Sequence, residues 1–244
     1  MTSTELETVS LEVRDTGVAV MTLKEITFTR KMIREIDSLL TKLEQTEGPM
    51  CLVTRSVHPK IFSAGLNLDI FRGDVFDVTN FLNEFSRIVG RVLELPFPSV
   101  ALINGHLVAG GLMFVMAHDY RIMVDNNSKI MMNEIANGLG IPRNMGAAIF
   151  AKLRPSVLRD LNLIGLNVSP KQAKEFEIVD FLEPDLDSAS KRAFELAEKL
   201  ADVGEKRLAY RAIKVSLYKE HIEMTKGISE EDSVAALRNF QSKM

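Results

Sequence analysis

Three segments of this 244-residue sequence hold residues able to do chemistry. The segment Lys129-Ile130-Met131-Met132-Asn133-Glu134-Ile135-Ala136 sets one carboxylate, Glu134, inside an apolar run. Burial would raise its pKa toward neutrality, so that one group could both take and return a proton. An isolated glutamate that points to water has the same local signature. The second segment, Ala101 onward through Asn104-Gly105 to Gly110-Gly111-Leu112-Met113, reads as strand, turn and apolar helix. Two adjacent helical glycines cost about 1 kcal/mol each against alanine. Something sitting against the backbone there would explain them, because a helix's first turn offers unpaired N–H groups and a positive dipole end. Close packing of two backbones explains them equally. No lysine follows at P-loop spacing, so a phosphate cradle is not indicated. The third segment is Ile61-Phe62-Ser63-Ala64-Gly65-Leu66, where small residues permit close approach and Gly65 can take dihedrals closed to other residues. An ordinary surface loop has that composition too.

The remaining candidates are weaker. His58, His106, His118 and His221 show no His-x-x-x-His spacing, so no metal site is expected. Cys51 lies in the apolar run Met50-Cys51-Leu52-Val53 and reads as a small buried hydrophobe. Neither a Gly-x-Ser-x-Gly elbow nor a dinucleotide glycine fingerprint is present.

The elements that must carry these residues alternate. Apolar alternation predicts a hairpin from strands 9–13 and 18–23, then a helix from a Thr29 cap through about residue 45. A strand follows at 51–57, a helix over 79–95 ended by Pro96 and Pro98, and a strand at 99–103. Next come a helix over 110–117 and a strand over 120–124. From about residue 142 the pattern is nearly all helical, with one strand-like run at 178–182 and amphipathic segments at 187–202, 205–222 and 229–241. Alternating strands and helices indicate an α/β fold, divided as a core over 1–185 and a helical region over 186–244. Those last helices could pack on a partner subunit or on their own core. With 46% hydrophobic and 26% charged residues the chain reads as a soluble globular protein. A net charge of −3 without a basic stripe argues against nucleic-acid binding. The apolar runs are too short for a membrane span.

Taken in order, these segments resemble the crotonase (enoyl-CoA hydratase/isomerase) superfamily, most of all its Δ3,Δ2-enoyl-CoA isomerases. Phe62-Ser63-Ala64-Gly65-Leu66 is similar to the first oxyanion segment. Ala101-Leu102-Ile103-Asn104-Gly105 through Gly110-Gly111 to His118-Asp119-Tyr120-Arg121 is similar to the second. The likeness continues through Glu134 and Val168-Ser169-Pro170-Lys171-Gln172-Ala173 to Ile178-Val179-Asp180. The resemblance implies a spiral of ββα units with a helical C-terminal trimerisation region, hence a homotrimer or a dimer of trimers. It implies an acyl-CoA thioester as substrate, with coenzyme A arriving on that substrate and no separate cofactor. The thioester oxygen would rest on the N–H groups of Leu66 and Gly110, with Glu134 as the acid–base residue. Ala64, Gly65, Gly111 and Met113 would line the binding site, and Lys214 would contact a phosphate. Met113 occupies the position of the hydratases' first glutamate, which leaves one acid and favours isomerisation. Two registers remain open, since matching Gly140 rather than Gly138 to the family glycine would put Ala136 at the base position. A non-catalytic acyl-CoA-binding subunit, or another enolate chemistry such as thioester hydrolysis, stays open as well. The terminal Ser242-Lys243-Met244 differs from a peroxisomal Ser-Lys-Leu address by one apolar residue. Peroxisomal localisation is therefore expected, and cytoplasmic otherwise.

Overall fold

In the computed structural model, residues 1–234 are described. The chain winds as repeated strand–strand–helix turns. In chain order the strands are β1 (Thr2–Glu5), β2 (Val9–Val13), β3 (Val18–Leu23), β4 (Thr27–Phe28), β5 (Cys51–Ser56), β6 (Ile61–Ser63), β7 (Gly65–Leu66), β8 (Ser99–Ile103), β9 (His106–Val108), β10 (Tyr120–Val124), β11 (Ile130–Met131) and β12 (Phe181–Glu183). The helices are α1 (Arg30–Gln45), α2 (Val75–Leu93), α3 (Gly110–Met116), α4 (Arg143–Lys152), α5 (Pro155–Leu163), α6 (Pro170–Glu175), α7 (Leu186–Ala201) and α8 (Arg207–Met224). A seven-stranded sheet runs β1-β2-β3-β5-β8-β10-β12. It is antiparallel through β3 and parallel beyond. Short strands left over from each turn make two smaller sheets, β11-β9-β6 and β4-β7. Those small sheets bring the second and third chemical segments side by side.

Local sequence explains most boundaries. Thr29 caps α1 by accepting from the Met32 N–H, and Met32, Ile33, Ile36, Leu39, Leu40 and Leu43 form its buried face. α2 begins four residues earlier than its apolar period suggests, because Asp74 accepts from the Asp77 N–H and caps it there. The strand expected at 178–182 starts late. The Ile178 and Val179 amides close α6 onto the Ala173 carbonyl, so pairing begins at Phe181.

α7 packs on its own core. Ala189, Ala193, Ala197 and Ala201 recur every fourth residue and meet Val18, Val20, Cys51, Val53, Val100, Leu102 and Ile122 on one sheet face. Methyl side chains at that spacing let the helix lie close on the strands. The larger core cluster fills the opposite side, with the Phe28 ring touching those of Phe85 and Phe114. The expected segment 205–222 forms α8, interrupted by non-helical dihedrals at Tyr218. Of the segment expected at 229–241, residues after 234 lie outside the described residues, as does Ser242-Lys243-Met244. Among the described residues no helix is long and apolar enough to cross a membrane.

Candidate active site

β7 and the start of α3 meet at close range. A Cβ added to Gly65, whose φ is +89°, would lie 3.1 Å from the Val108 carbonyl oxygen and 3.3 Å from the Gly110 nitrogen. One built on Gly111 would come within 2.8 Å of Ser63 Cβ. The glycines thus serve backbone-to-backbone packing, the plainer explanation left open by the sequence. That packing also sets the Leu66 and Gly110 amides together, since a Cβ on Gly110 would be 3.5 Å from the Leu66 nitrogen.

Both amides are available by geometry. Asn67 donates to the Phe28 carbonyl at 3.1 Å. Successive N–H groups of a strand face opposite ways, so Leu66 turns its own away from β4. Gly110 is the first residue of α3 and has no carbonyl one helical turn behind it. Ser63 steadies the loop: its hydroxyl donates to the Ile26 carbonyl (3.2 Å) and accepts from the Gly65 N–H (3.1 Å). Asn67 accepts from the Asp69 N–H at 2.9 Å and caps the following 3₁₀ turn.

Ala109 sits between these donors with φ 49° and ψ −117°, the first inner position of a type II′ turn, where glycine is favoured. Such strain costs about 1–3 kcal/mol. Ala109→Gly is therefore expected to stabilise the fold by about 1 kcal/mol, after the added chain entropy of glycine is subtracted. A denaturant midpoint at or below the parent's would refute the strain.

The two segments form one wall of a cavity of about 100 Å³. Ala64, Leu66, Gly110, Met113 and Glu134 all line it. Gly65 and Gly111 lie behind that wall, acting through packing. Glu134 stands at the head of a 3₁₀ turn braced by three bonds. Asn137 and Leu139 donate backbone N–H groups to its carbonyl (3.0 and 2.9 Å), and the Asn137 side chain donates to the Asn133 carbonyl (2.9 Å). Gly138, at φ +70°, ends the turn. Ala136 is exposed and absent from the lining, so the carboxylate at the cavity is that of Glu134. Its Oε2 is buried and has no partner among the described residues. Burial pushes the carboxyl up to about 6, against a small opposing pull from its own backbone amide. Among the described residues it is the one ionisable side chain in the lining. Leu82, Met113 and Met145, all buried, and Phe71 close the inner end.

Lys214 is a correction. The expected phosphate contact is not brought to the cavity. Its ammonium, with the side chain 5% exposed, pairs with Asp119 at 2.9 Å and also reaches the Val92 carbonyl. A charge so buried is held by its counter-ion and is not presented to a ligand. His58, His106 and His118 are bonded structurally. His118 donates from Nδ1 to the Phe114 carbonyl, which leaves Nε2 to accept from the Thr54 hydroxyl (2.8 Å), and burial lowers its pKa to about 3. His106 Nδ1 accepts from the Lys129 N–H, and His58 donates to the Lys24 carbonyl. Burial, with Asp119 nearby, drives the Cys51 thiol far up, away from thiolate chemistry. Asn133, Asn137 and the apolar walls from Leu82 and Met145 were not anticipated. The asparagines flank Glu134 in sequence and could have been suspected. The walls come from distant helices and carry no local signal.

A spiral of strand–strand–helix turns with this cavity between its sheets defines a crotonase-fold protein. Solved structures agree: the human mitochondrial delta3-delta2-enoyl-CoA isomerase superposes with TM-score 0.82 at 24% identity, covering 97% of this chain and 92% of that one. A probable enoyl-CoA hydratase from Mycobacterium tuberculosis gives 0.82 at 20% identity, covering 98% and 100%. The profile of the enoyl-CoA hydratase/isomerase family matches residues 13–243, and the chain belongs to that family. Among curated relatives, Enoyl-CoA delta isomerase 3 of Arabidopsis thaliana is 31% identical over 196 residues, covering 76% of this chain and 82% of its own. Enoyl-CoA delta isomerase 2, peroxisomal, of the same plant is 32% identical over 198 residues with the same coverage.

Proposed function

We propose that this protein moves the double bond of 3-enoyl-CoA thioesters to the 2-position. The observation that carries the reading is that, among the described residues, Glu134 is the single ionisable group on the wall of a cavity that Leu66 and Gly110 also line. The thioester oxygen accepts from those two N–H groups. Glu134 removes a proton from C2, and the C–H electron pair becomes the double bond of a dienolate whose charge rests on that oxygen. The same carboxyl returns the proton at C4, where the C3–C4 π pair forms the new C–H bond; the C1–C2 pair moves to C2–C3, and the oxygen's charge rebuilds the carbonyl. Donors aimed at the oxygen act most where charge builds, and each is worth about 3 kcal/mol of barrier in comparable sites. A carboxyl with pKa near 6 serves both as acceptor and as donor at neutral pH. Met113, 2% exposed, stands where a second acid would be needed to activate water. Two plant relatives carrying the delta isomerase name support the same choice. The test is direct: purified protein given a 3-enoyl-CoA must form the conjugated 2-enoyl product, and formation of 3-hydroxyacyl-CoA instead would refute isomerisation.

The chain assembles, on this reading, as a homotrimer or a dimer of trimers. Ile213 and Leu217, one turn apart on α8, are 61% and 67% exposed in the single chain and suit burial against another copy. Sedimentation equilibrium should return a multiple of three chains; a monomer at micromolar concentration would refute it. The relatives named as peroxisomal support a peroxisomal location.

A further inference from the structure

A second cleft lies on the face of the large sheet that α7 covers. Rows of side chains there run Val18, Val20, Thr22 on β3 and Cys51, Val53, Arg55 on β5; Val100 and Leu102 on β8 lead to Asn104. Thr22 and Arg55 are paired across the ladder. The alanine stripe of α7 covers the apolar part of these rows, and the rows turn polar at the carboxyl ends of the strands, where α7 begins. A cleft of about 300 Å³ results, lined by Thr22, Arg55, Ser56, Asn104, Leu186 and Ser190 among others. None of its lining is shared with the catalytic cavity.

Arg55 is unusual among the half-buried arginines. Arg30, Arg91 and Arg121 hold carboxylates, and Arg207 holds backbone carbonyls. Arg55 gives its Nε–H to the Thr22 hydroxyl at 3.1 Å, and among the described residues its two terminal nitrogens meet no acceptor. Asn104, 6% exposed, donates Nδ2 to the His58 carbonyl at 2.6 Å, and its Oδ1 has no partner among the described residues. Of the acids at the start of α7, Asp185 is taken up by the Ser188 N–H (2.7 Å) and Asp187 is exposed to water. A planar guanidinium fork matches a carboxylate or phosphate in two parallel bonds. The first turn of the 16-residue α7 adds its dipole on the same side, with Asp185 capping it. The carboxyl ends of parallel strands are where α/β sheets commonly receive ligands.

We propose that this cleft is a receptor for a small oxyanion, a phosphate or carboxylate group held in the fork of Arg55 against the first turn of α7. Calorimetry on the full-length protein, with hydrogen phosphate and separately with succinate at fixed ionic strength, tests it. Saturable binding to one site per chain is expected for at least one of them, and which one identifies the class. Arg55→Ala and Ser190→Glu should each weaken binding at least about tenfold, the second by placing a carboxylate beside the guanidinium. Arg55→Lys, which keeps charge without the fork, should fall between. Glu134→Gln should bind as the parent does. Should Arg55→Ala not fold, judged by circular dichroism, Arg55→Lys and Ser190→Glu decide. The proposal is overturned if neither anion saturates the parent, if the cleft variants that fold bind as tightly as the parent, or if Glu134→Gln removes the binding.

Discussion

Glu134→Gln lowers kcat for conversion of 3-enoyl-CoA to the 2-enoyl product by at least about a hundredfold, with KM changed only a few-fold, as expected for loss of acid–base catalysis. The substitution keeps size and shape but removes the group proposed to take the proton at C2 and deliver it at C4. On that mechanism both half-steps use the same carboxyl, and among the described residues no second acid lines the cavity to stand in for it. The pH profile offers an independent check. With the folded carboxyl near 6, kcat/KM of the parent should rise with pH through that value as the base ionises, and the residual activity of the variant should lack this limb. Stability moves the other way. A carboxyl whose folded pKa is raised holds its proton longer in the folded state, so its contribution is full below the unfolded value and is lost as pH rises through about 6. Glu134→Gln should then be no less stable than the parent at neutral pH, which separates lost chemistry from lost folding. Turnover equal to the parent's would remove Glu134 from the reaction.

Legibility in the sequence followed the range of the interactions. Thr29 and the apolar residues of α1 were readable because a cap and its helical face lie within sixteen residues. The strands at 99–103 and 120–124 were readable for the same reason, as continuous apolar runs between turn residues. Glu134 was visible as an oddity, but two registers placed different residues at the cavity. The braced 3₁₀ turn, in which Asn137 and Leu139 both return to the Glu134 carbonyl, decides between them. No propensity encodes that turn. The short strands β4, β6, β7, β9 and β11 were invisible, since two or three residues hold no period. The strain at Ala109 was not legible because it lies in φ and ψ, which residue type alone does not reveal. The Leu82 and Met145 walls depend on α2 and α4 crossing near α3, a long-range event with no local mark.

Lys214 shows the same limit at its sharpest, and Asp119→Ala measures what the pair does instead. The Asp119 carboxylate accepts from the Ser99 N–H (2.9 Å) and hydroxyl (3.0 Å), the Tyr210 hydroxyl (3.2 Å) and the Lys214 ammonium. It thereby ties α8 to the edge of β8. Burial works to raise its pKa, but the Lys214 and Lys152 charges and these bonds prevail and hold it low. Asp119→Ala strands the Lys214 ammonium in an interior without a counter-charge, and a cost of about 3–5 kcal/mol is expected in urea unfolding. The sign with pH follows: a lowered carboxyl contributes fully above its unfolded value near 4 and loses that contribution as pH falls through the folded one, so the variant's acid limb should be flatter. Asp119→Ala combined with Lys214→Met should lose less than the two single changes summed, because the second removes the orphaned charge. Asp119 does not line the cavity, and Lys214 does not reach it, so Lys214→Met assayed below its melting range should keep the parent's KM for the thioester. A rise of tenfold or more in KM, with kcat unchanged, would return Lys214 to the phosphate.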